Sequence, residues 1–385
     1  MIPYGRQEIS EDDIEAVVQV LRSDFITQGP AIPRFEQAVA TYCGAAHAIA
    51  VSSGTAALHL ACLATGLGPG DRLWTTPNTF VASANCGRYC GADVDFVDID
   101  RRTLNMSVEA LATKLEAAAA AATLPKVVVP VDFAGEPGDL AAIRRLADQY
   151  GFTVIEDASH AIGARYRGEP IGSGGYADMT VFSFHPVKII TTAEGGMVVT
   201  DDPTLAGKVS RLRSHGITRD QPEMAWESDG EWYYHQLELG FNYRMTDLQA
   251  GLGHSQLRRI DRFLARRQEV AARYDELLGG LPIVLPYRSP ESRSALHLYV
   301  IQLDPARTDR TRGEVFESLR AAGIGVNVHY IPVHLQPYYR RLGFKPGDFP
   351  NAESYYQGAI SLPIYPGLTP ELQDRVVAAL AEALQ

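Results

Sequence analysis

The chain has 385 residues, 46% apolar and 21% charged, and its 35 basic against 46 acidic side chains leave a net charge of −11. Such a length suits roughly two to three domains and a core that needs no metal or disulfide staple, and the composition excludes collagen-like, coiled-coil and disordered classes. Net negative charge argues against non-specific nucleic-acid binding, while leaving room for a local basic pocket that takes a phosphorylated small molecule.

In chain order, residues 8–22 (EISEDDIEAVVQVLR) carry the amphipathic spacing of a helix. Ser10 is placed as its N-cap, and acidic residues fill the first turn, where the helix dipole favours them. The opening MIPYGRQEISEDD has neither the basic nor the apolar region of a secretory leader. No run of about 20 apolar residues is present to span a bilayer, so a cytoplasmic protein with no membrane partner is expected. The loop SDFITQGP leads to a second helix at about 32–43.

From about residue 46, short apolar runs alternate with helical stretches: HAIAV, RLWTTP, VDFVDI, KVVVPVDF, TVIEDAS, MTVFSF and GMVVTD, with helices at TAALHLACLATG, in the small-residue stretch through Tyr89, and at DLAAIRRLADQYG. Apolar strands that do not alternate with polar residues predict an α/β domain with a mainly parallel seven-stranded sheet buried on both faces, over residues 1–245. The Ala-rich stretch 114–124 reads as a plain surface helix, Ala having the best helix propensity. Residues 219–236, polar and aromatic without a period, read as a long functional loop. One long helix at about 246–278 then carries the chain into a smaller α+β domain, 246–385. That domain is predicted as a strand (HLYVIQLD), a helix (RGEVFESLRAAG), a second strand (VNVHYIPVH) and a terminal helix (TPELQDRVVAALAEAL). The cysteines Cys43, Cys62, Cys86 and Cys90 lack a metal-ligand spacing and read as small buried hydrophobes, so no metal is expected.

Four segments of the large domain could carry chemistry. In VSSGTAALHLA a strand turns into a helix, where free N–H groups and the hydroxyls of Ser53 and Thr55 suit a phosphate and Gly54 permits close approach, although the same residues cap helices that bind nothing. In TVIEDASHA, Asp157 stands at a strand's carboxyl end with His160 three residues on, placed for a ligand cation or simply as a helix cap. In FSFHPVKIITTAEGGMV, Lys188 sits among Val187, Ile189 and Ile190. Desolvation there would make its amine a usable nucleophile, unless the side chain reaches to solvent. In TPNTFVASA, Phe80 is placed to stack on a planar ring or to join the core. Phosphate turn, aromatic, strand-end acid and lysine in that order serve one cofactor, pyridoxal 5′-phosphate: it has a phosphate, a planar ring, a ring nitrogen that works protonated beside a carboxylate, and an aldehyde that condenses with lysine.

Through TQGP, SSGTAALHLA, TTPNTFVASAN, EDASHAIGA, SFHPVKIITTAEGGMVVT, RSHGI, GFNYRMTDLQAGLG and VHYIPVH, the chain resembles, over essentially its whole length, the DegT/DnrJ/EryC1/StrS family of nucleotide-sugar aminotransferases. The resemblance implies the fold-type-I, aspartate aminotransferase-like architecture and pyridoxal phosphate as cofactor. Lys188 falls on the family's Schiff-base lysine, Asp157 on the acid beside the pyridine nitrogen, Phe80 on the stacking ring and His160 on a residue near the 3′-oxygen. Gly54, Thr55 and Ser183 fall on phosphate contacts. Asn242 falls on an asparagine that reaches the neighbouring subunit's cofactor phosphate, which implies a homodimer with shared active sites. Tyr4, the loop Asp24, Phe25, Ile26 and Thr27, and His329, Tyr330 and Tyr339 fall on the substrate side. Relatives that dehydrate sugars carry His where this chain has Lys188. The Lys188 stretch and VDFAGEP look most like the branch that uses L-glutamate to aminate UDP-2-acetamido-2,6-dideoxy-β-L-arabino-hex-4-ulose at C4, on the route to pseudaminic acid. A rival reading as a nicotinamide-dependent oxidoreductase lacks a GxGxxG after the first strand.

Overall fold

The computed structural model describes residues 1–385. Helix α1 (Glu11–Leu21) begins with Ser10 and Asp13 capping each other reciprocally, and α2 (Ala31–Cys43) stops at Gly44 in the left-handed region. Strand β1 (His47–Val51) then leads directly into α3 (Gly54–Ala64), whose N-cap is Ser53. Most of α3 is buried, and each Leu-sized side chain on it contributes roughly 2 kcal/mol, which fixes where its N-terminus points. The chain continues through β2 (Arg72–Thr75), α4 (Ala82–Tyr89), β3 (Asp93–Phe96), α5 (Val108–Ala120), β4 (Val127–Val129), α6 (Leu140–Tyr150), β5 (Thr153–Asp157), β6 (Met179–Ser183) and β7 (Gly196–Thr200). The Ala-rich helix α5 is exposed on one face and buries Leu111, Leu115 and Ala118 on the other.

The sheet order is β1-β7-β6-β5-β4-β2-β3. The neighbouring pairs β2/β3, β2/β4, β4/β5 and β5/β6 are parallel, and β7 runs antiparallel to both its neighbours. The β5/β6 register sets Asp157 opposite Val181, so Asp157 and Ser183 stand at adjacent strand ends. Ligands of open α/β sheets bind at those carboxyl ends.

Helix α7 (Pro203–Leu212) precedes the 219–236 segment, which folds back on its own start: His235 and Gln236 pair with Thr218 and Ile217 in a short antiparallel ladder. The single long helix expected at 246–278 is two helices, α8 (Asp247–Leu257) and α9 (Ile260–Leu278). The break has a tertiary cause. Gln256 Nε2 donates to the buried Asp13 at 2.7 Å, and the Arg259 guanidinium pairs with the same carboxylate. Bending there lets α8 pack on α1 and α2 while α9 leaves for the smaller unit. In that unit β8 (Tyr299–Leu303) pairs antiparallel with Ile283–Val284 and with β9 (Ala359–Leu362), and is covered by α10 (Arg312–Ala321) and α12 (Pro370–Ala383); α11 (Pro350–Gly358) runs into β9. The strand expected at VNVHYIPVH does not form. Only Asn327 bridges Ser361, and the segment runs irregularly into the large unit, where Val333 N–H donates to Pro77 O at 2.9 Å. Packing also crosses the division at residue 245: Ile2 belongs to the smaller core, whereas Val333, Tyr339, Phe349 and Tyr355 belong to the large one.

Candidate functional site

Lys188 lies in the loop between β6 and β7. Ile189 and Ile190 on its carboxyl side are buried, which anchors the loop and leaves the lysine side chain to enter the cleft at the strand ends. Burial pulls its amine down to about 8, opposed by the charge of Asp157. A sizeable fraction of the amine is therefore neutral near physiological pH, as a nucleophile and proton shuttle requires.

Asp157 is 5% exposed. Its Oδ2 accepts from Ser83 Oγ at 2.6 Å, and its Oδ1 accepts from Ser159 Oγ at 2.6 Å and Ser159 N–H at 3.2 Å. Ser83 has one proton and spends it on Asp157, so Thr79 Oγ1, 2.7 Å away, donates to Ser83. A buried carboxylate with hydroxyl donors and no arginine partner is set to hold a protonated ring nitrogen.

His160 is buried. The Ala134 N–H donates to its Nδ1 at 3.2 Å, which leaves the proton on Nε2, facing Tyr330 Oη at 3.1 Å. Burial pushes this imidazole well below its usual range, followed by the charges of Lys188 and His329. It is a neutral hydrogen-bonding group. Ala134 reaches it from a left-handed backbone, and a Cβ at Gly135 would come within 2.8 Å of His160 O, so the FAG turn fits only with glycine.

The N–H of Ala56 is satisfied by Ser53 Oγ, while the N–H groups of Gly54 and Thr55 project from the start of α3 without a protein partner. A Cβ on Gly54 would lie 2.9 Å from Ser183 Cβ, and one on Gly196 would lie 2.4 Å from Ser53 O. Those two glycines make a tight cradle of N–H groups and the Ser183 hydroxyl, suited to a phosphate. Phe80 is 57% exposed and presents its ring to open space, its nearest aromatic neighbour being Tyr330 at 6.3 Å. Free amides, an aromatic face, a desolvated amine and a buried acid fit the four parts of pyridoxal phosphate.

On the substrate side, Tyr4, His329 and Tyr330 converge. Tyr4 and His329 rings are 5.5 Å apart, and His329 Nδ1 meets Ser361 Oγ at 2.7 Å. Burial, then the Lys188 charge, draws His329 down to about 4. Desolvation raises the Tyr330 hydroxyl above its ordinary value, with Asp157 adding to it. Tyr339 is a correction to the expected set: it is 1% exposed, packs edge-on against Phe96 and donates its hydroxyl to Asn85 Oδ1 at 2.8 Å, so it is a core residue. Asp24, Phe25, Ile26 and Thr27 are exposed and pinned to the start of α8, with Asp247 N–H donating to Ile26 O and Thr27 bridging Thr246; none of them contacts the lysine cluster. Asn242 is exposed beside Ser214, with no side-chain hydrogen bond in its own chain. A cavity of about 600 Å³ carries Arg211, Arg213, Arg219 and Arg244 and shares no residue with the lysine cluster. Motif reading missed Thr79, Ser83 and Ser159, and also His297, whose ring lies 4.4 Å from His160. Ser83 and Ser159 lie inside the segments that carry Phe80 and Asp157, but only the folded chain shows that they hold the acid.

A desolvated lysine facing a hydroxyl-bound aspartate across an amide cradle, at the strand ends of a mostly parallel sheet, defines a pyridoxal phosphate-dependent transferase. The chain belongs to the DegT/DnrJ/EryC1/StrS aminotransferase family, whose model matches residues 7–381. It is 42% identical over 390 residues to the spore coat polysaccharide biosynthesis protein SpsC of Bacillus subtilis, covering 100% of this chain and 97% of that one. Among solved structures it is similar to Helicobacter pylori PseC, an aminotransferase involved in the biosynthesis of pseudoaminic acid, at 30% identity and a TM-score of 0.90, over 100% and 99% of the two chains. A Streptococcus pneumoniae protein described as a sugar aminotransferase, solved in apo, PLP and PMP forms, is 29% identical with TM-scores of 0.88 to 0.89, and each form is covered over at least 97% of both chains. The protein is thus a pyridoxal phosphate-dependent sugar aminotransferase. No helix is long and apolar enough to cross a membrane.

Proposed function

We propose that the protein moves an amino group from L-glutamate to C4 of UDP-2-acetamido-2,6-dideoxy-β-L-arabino-hex-4-ulose, giving UDP-4-amino-4,6-dideoxy-N-acetyl-β-L-altrosamine, a precursor of pseudaminic acid. The observation that carries amino transfer is the pair Lys188 and Asp157 at one set of strand ends, the amine drawn down to about 8 and the acid held by two serines. The choice of sugar rests on the likeness to PseC and on the VDFAGEP and TTAEGG stretches. The higher identity to SpsC favours a second reading, amination of another nucleotide-linked keto sugar that feeds a polysaccharide.

When bound, pyridoxal phosphate supplies an electron sink for the pair left by the broken Cα–H bond. The Gly54 and Thr55 amides with Ser183 would hold its phosphate, Phe80 would offer a face for its ring, and Asp157 would keep the ring-nitrogen proton in place. Lys188 Nζ takes the proton from Cα as general base and returns it as general acid. His160 donates from Nε2 to Tyr330 Oη, which frees the tyrosine proton for a ligand in the cleft. Tyr4 and His329 then face the sugar. Asn242, exposed and unpaired, suits a contact with the cofactor phosphate of a second copy, so the working unit is a homodimer with shared sites and the 24–27 loop serves the neighbouring site. A panel of UDP- and dTDP-linked 4-keto sugars, incubated with enzyme and glutamate and followed by NMR, tests the reading. An amine at C4 of the UDP-N-acetyl sugar is the expected product. Preference for a sugar without the acetamido group transfers support to the second reading.

A further inference from the structure

The turn that serves His160 is itself held by a side chain outside the cleft. Across residues 133–136 every backbone N–H and C=O has a partner. The inner carbonyls of Ala134 and Gly135 accept from Leu298 N–H at 3.2 Å and Ala295 N–H at 2.9 Å, and the N–H groups of Gly135 and Glu136 close the turn on Asp132 O and Phe133 O. Both ends of the turn belong to Asn105. Its Oδ1 accepts from Phe133 N–H at 2.9 Å, a donor shared with Val131 O, and its Nδ2 donates to Glu136 O at 2.9 Å. One N–H is left over, that of Ala134, and it goes to His160 Nδ1.

Asn105 is 2% exposed and stands in the connection between β3 and α5. Leu104 before it and Ala134 inside the turn are both left-handed, at φ 65° and 60°, a backbone that residues other than glycine adopt rarely. Strained backbone at both ends of a buried amide, leading to an imidazole of the cleft, points to a role in that cleft. Only a carboxamide serves both ends of the turn. A carboxylate would set an oxygen against Glu136 O, and an aliphatic side chain would leave that buried carbonyl unpaired.

We propose that Asn105 is a positioning residue for amino transfer: it clamps the 133–136 turn so that Ala134 N–H keeps His160 in the Nε2–H tautomer that serves Tyr330. The proposal rests on the reading of His160 and Tyr330 as parts of the transfer site. Without the clamp, Glu136 O has no donor, the turn shifts to find one, and Ala134 N–H leaves Nδ1. The imidazole stays neutral, because burial holds it well below its usual range. Its proton then distributes between the two nitrogens. In the Nδ1–H form Nε2 is an acceptor, so the Tyr330 hydroxyl donates to it and no longer to a ligand in the cleft.

The test uses holoenzyme carrying nitrogen-15-labelled histidine. Long-range proton–nitrogen spectra report the tautomer of each ring, and His160→Gln assigns the His160 signal. The parent is expected to show His160 as Nε2–H. Asn105→Ala is expected to give mixed tautomers at His160 while the other rings, of the ten histidines in the chain, keep theirs. In the glutamate half-reaction its kcat is expected to fall about tenfold with KM within about twofold, since the catalytic geometry is loosened and the donor's own contacts are kept. Asn105→Asp keeps the acceptor for Phe133 N–H and loses only the donor to Glu136 O; it is expected to move the same signal and decides the matter if the alanine variant does not fold. His160 remaining wholly Nε2–H in a folded variant overturns the proposal, as does a kcat within about twofold of the parent or a disturbance spread over all the histidine signals. A parent that takes no amino group from glutamate would sink the functional reading instead, and the His160 tautomer would still decide the clamp.

Discussion

Replacing Ser83 by alanine probes how the active-site acid is held. Ser83 Oγ donates to Asp157 Oδ2 at 2.6 Å, in a site where Asp157 is 5% exposed and water does not replace a lost donor. A hydrogen bond to a buried charged group is worth roughly 1.5–3 kcal/mol. Ser159 still serves Oδ1, so Asp157 stays anchored and cofactor binding is largely retained. The donor holds the carboxylate in place beside the ring nitrogen, so its loss weakens that electrostatic support by about the same amount. A rate loss of roughly 10- to 100-fold is therefore expected at neutral pH, from lost support of the ring-nitrogen proton in the transition state. The assay is the glutamate half-reaction at neutral pH, followed by the visible absorbance of the bound cofactor, with thermal melting as the fold control. A rate within twofold of the parent in a variant that melts normally would show that Ser83 does not support the acid, and the argument from this hydrogen bond would fail.

Lys188→Ala is expected to lower amino transfer by several orders of magnitude with the melting temperature unchanged, since a nucleophile and proton shuttle is lost while the amide cradle and Asp157 remain; circular dichroism and turnover measured together check it. Uptake of pyridoxal phosphate by apoprotein needs the neutral amine, so its rate is expected to climb with pH and level off above about 8 rather than above the ordinary lysine value; stopped-flow spectra report it. Gly54→Ala puts a Cβ 2.9 Å from Ser183 Cβ and is expected to weaken cofactor affinity at least about tenfold, measured by equilibrium titration. Mixing Lys188→Ala chains with Asn242→Ala chains is expected to restore activity if sites are shared between subunits; no recovery after verified subunit exchange would place both residues in one chain's site.

What could be read from the sequence was short-range. Ser53-Gly54-Thr55 turns a strand into a helix within three residues, Asp157 ends an apolar strand, and Lys188 sits inside an apolar loop; each signal depends on near neighbours, and so does the α/β alternation that sets the sheet. The misses share the opposite property. Nothing in residues 246–278 announces a break at Arg258 and Arg259, because the cause is Asp13, more than 240 positions away, which claims Gln256 and Arg259. The apolar run at VNVHYIPVH has strand composition, yet most of its backbone finds no edge to pair with and turns instead toward Pro77. Tyr339 looks like a substrate residue by position and is a core residue by packing, since Phe96 and Asn85 enclose it from a distant part of the chain. The support of the catalytic acid belongs to this second kind. Ser83 and Asp157 are 74 residues apart, and only the packing of α4 beside the end of β5 brings hydroxyl to carboxylate. Propensity and turn chemistry act over a few residues and are written locally; hydrogen bonds between distant elements exist only after the core has closed and set their positions.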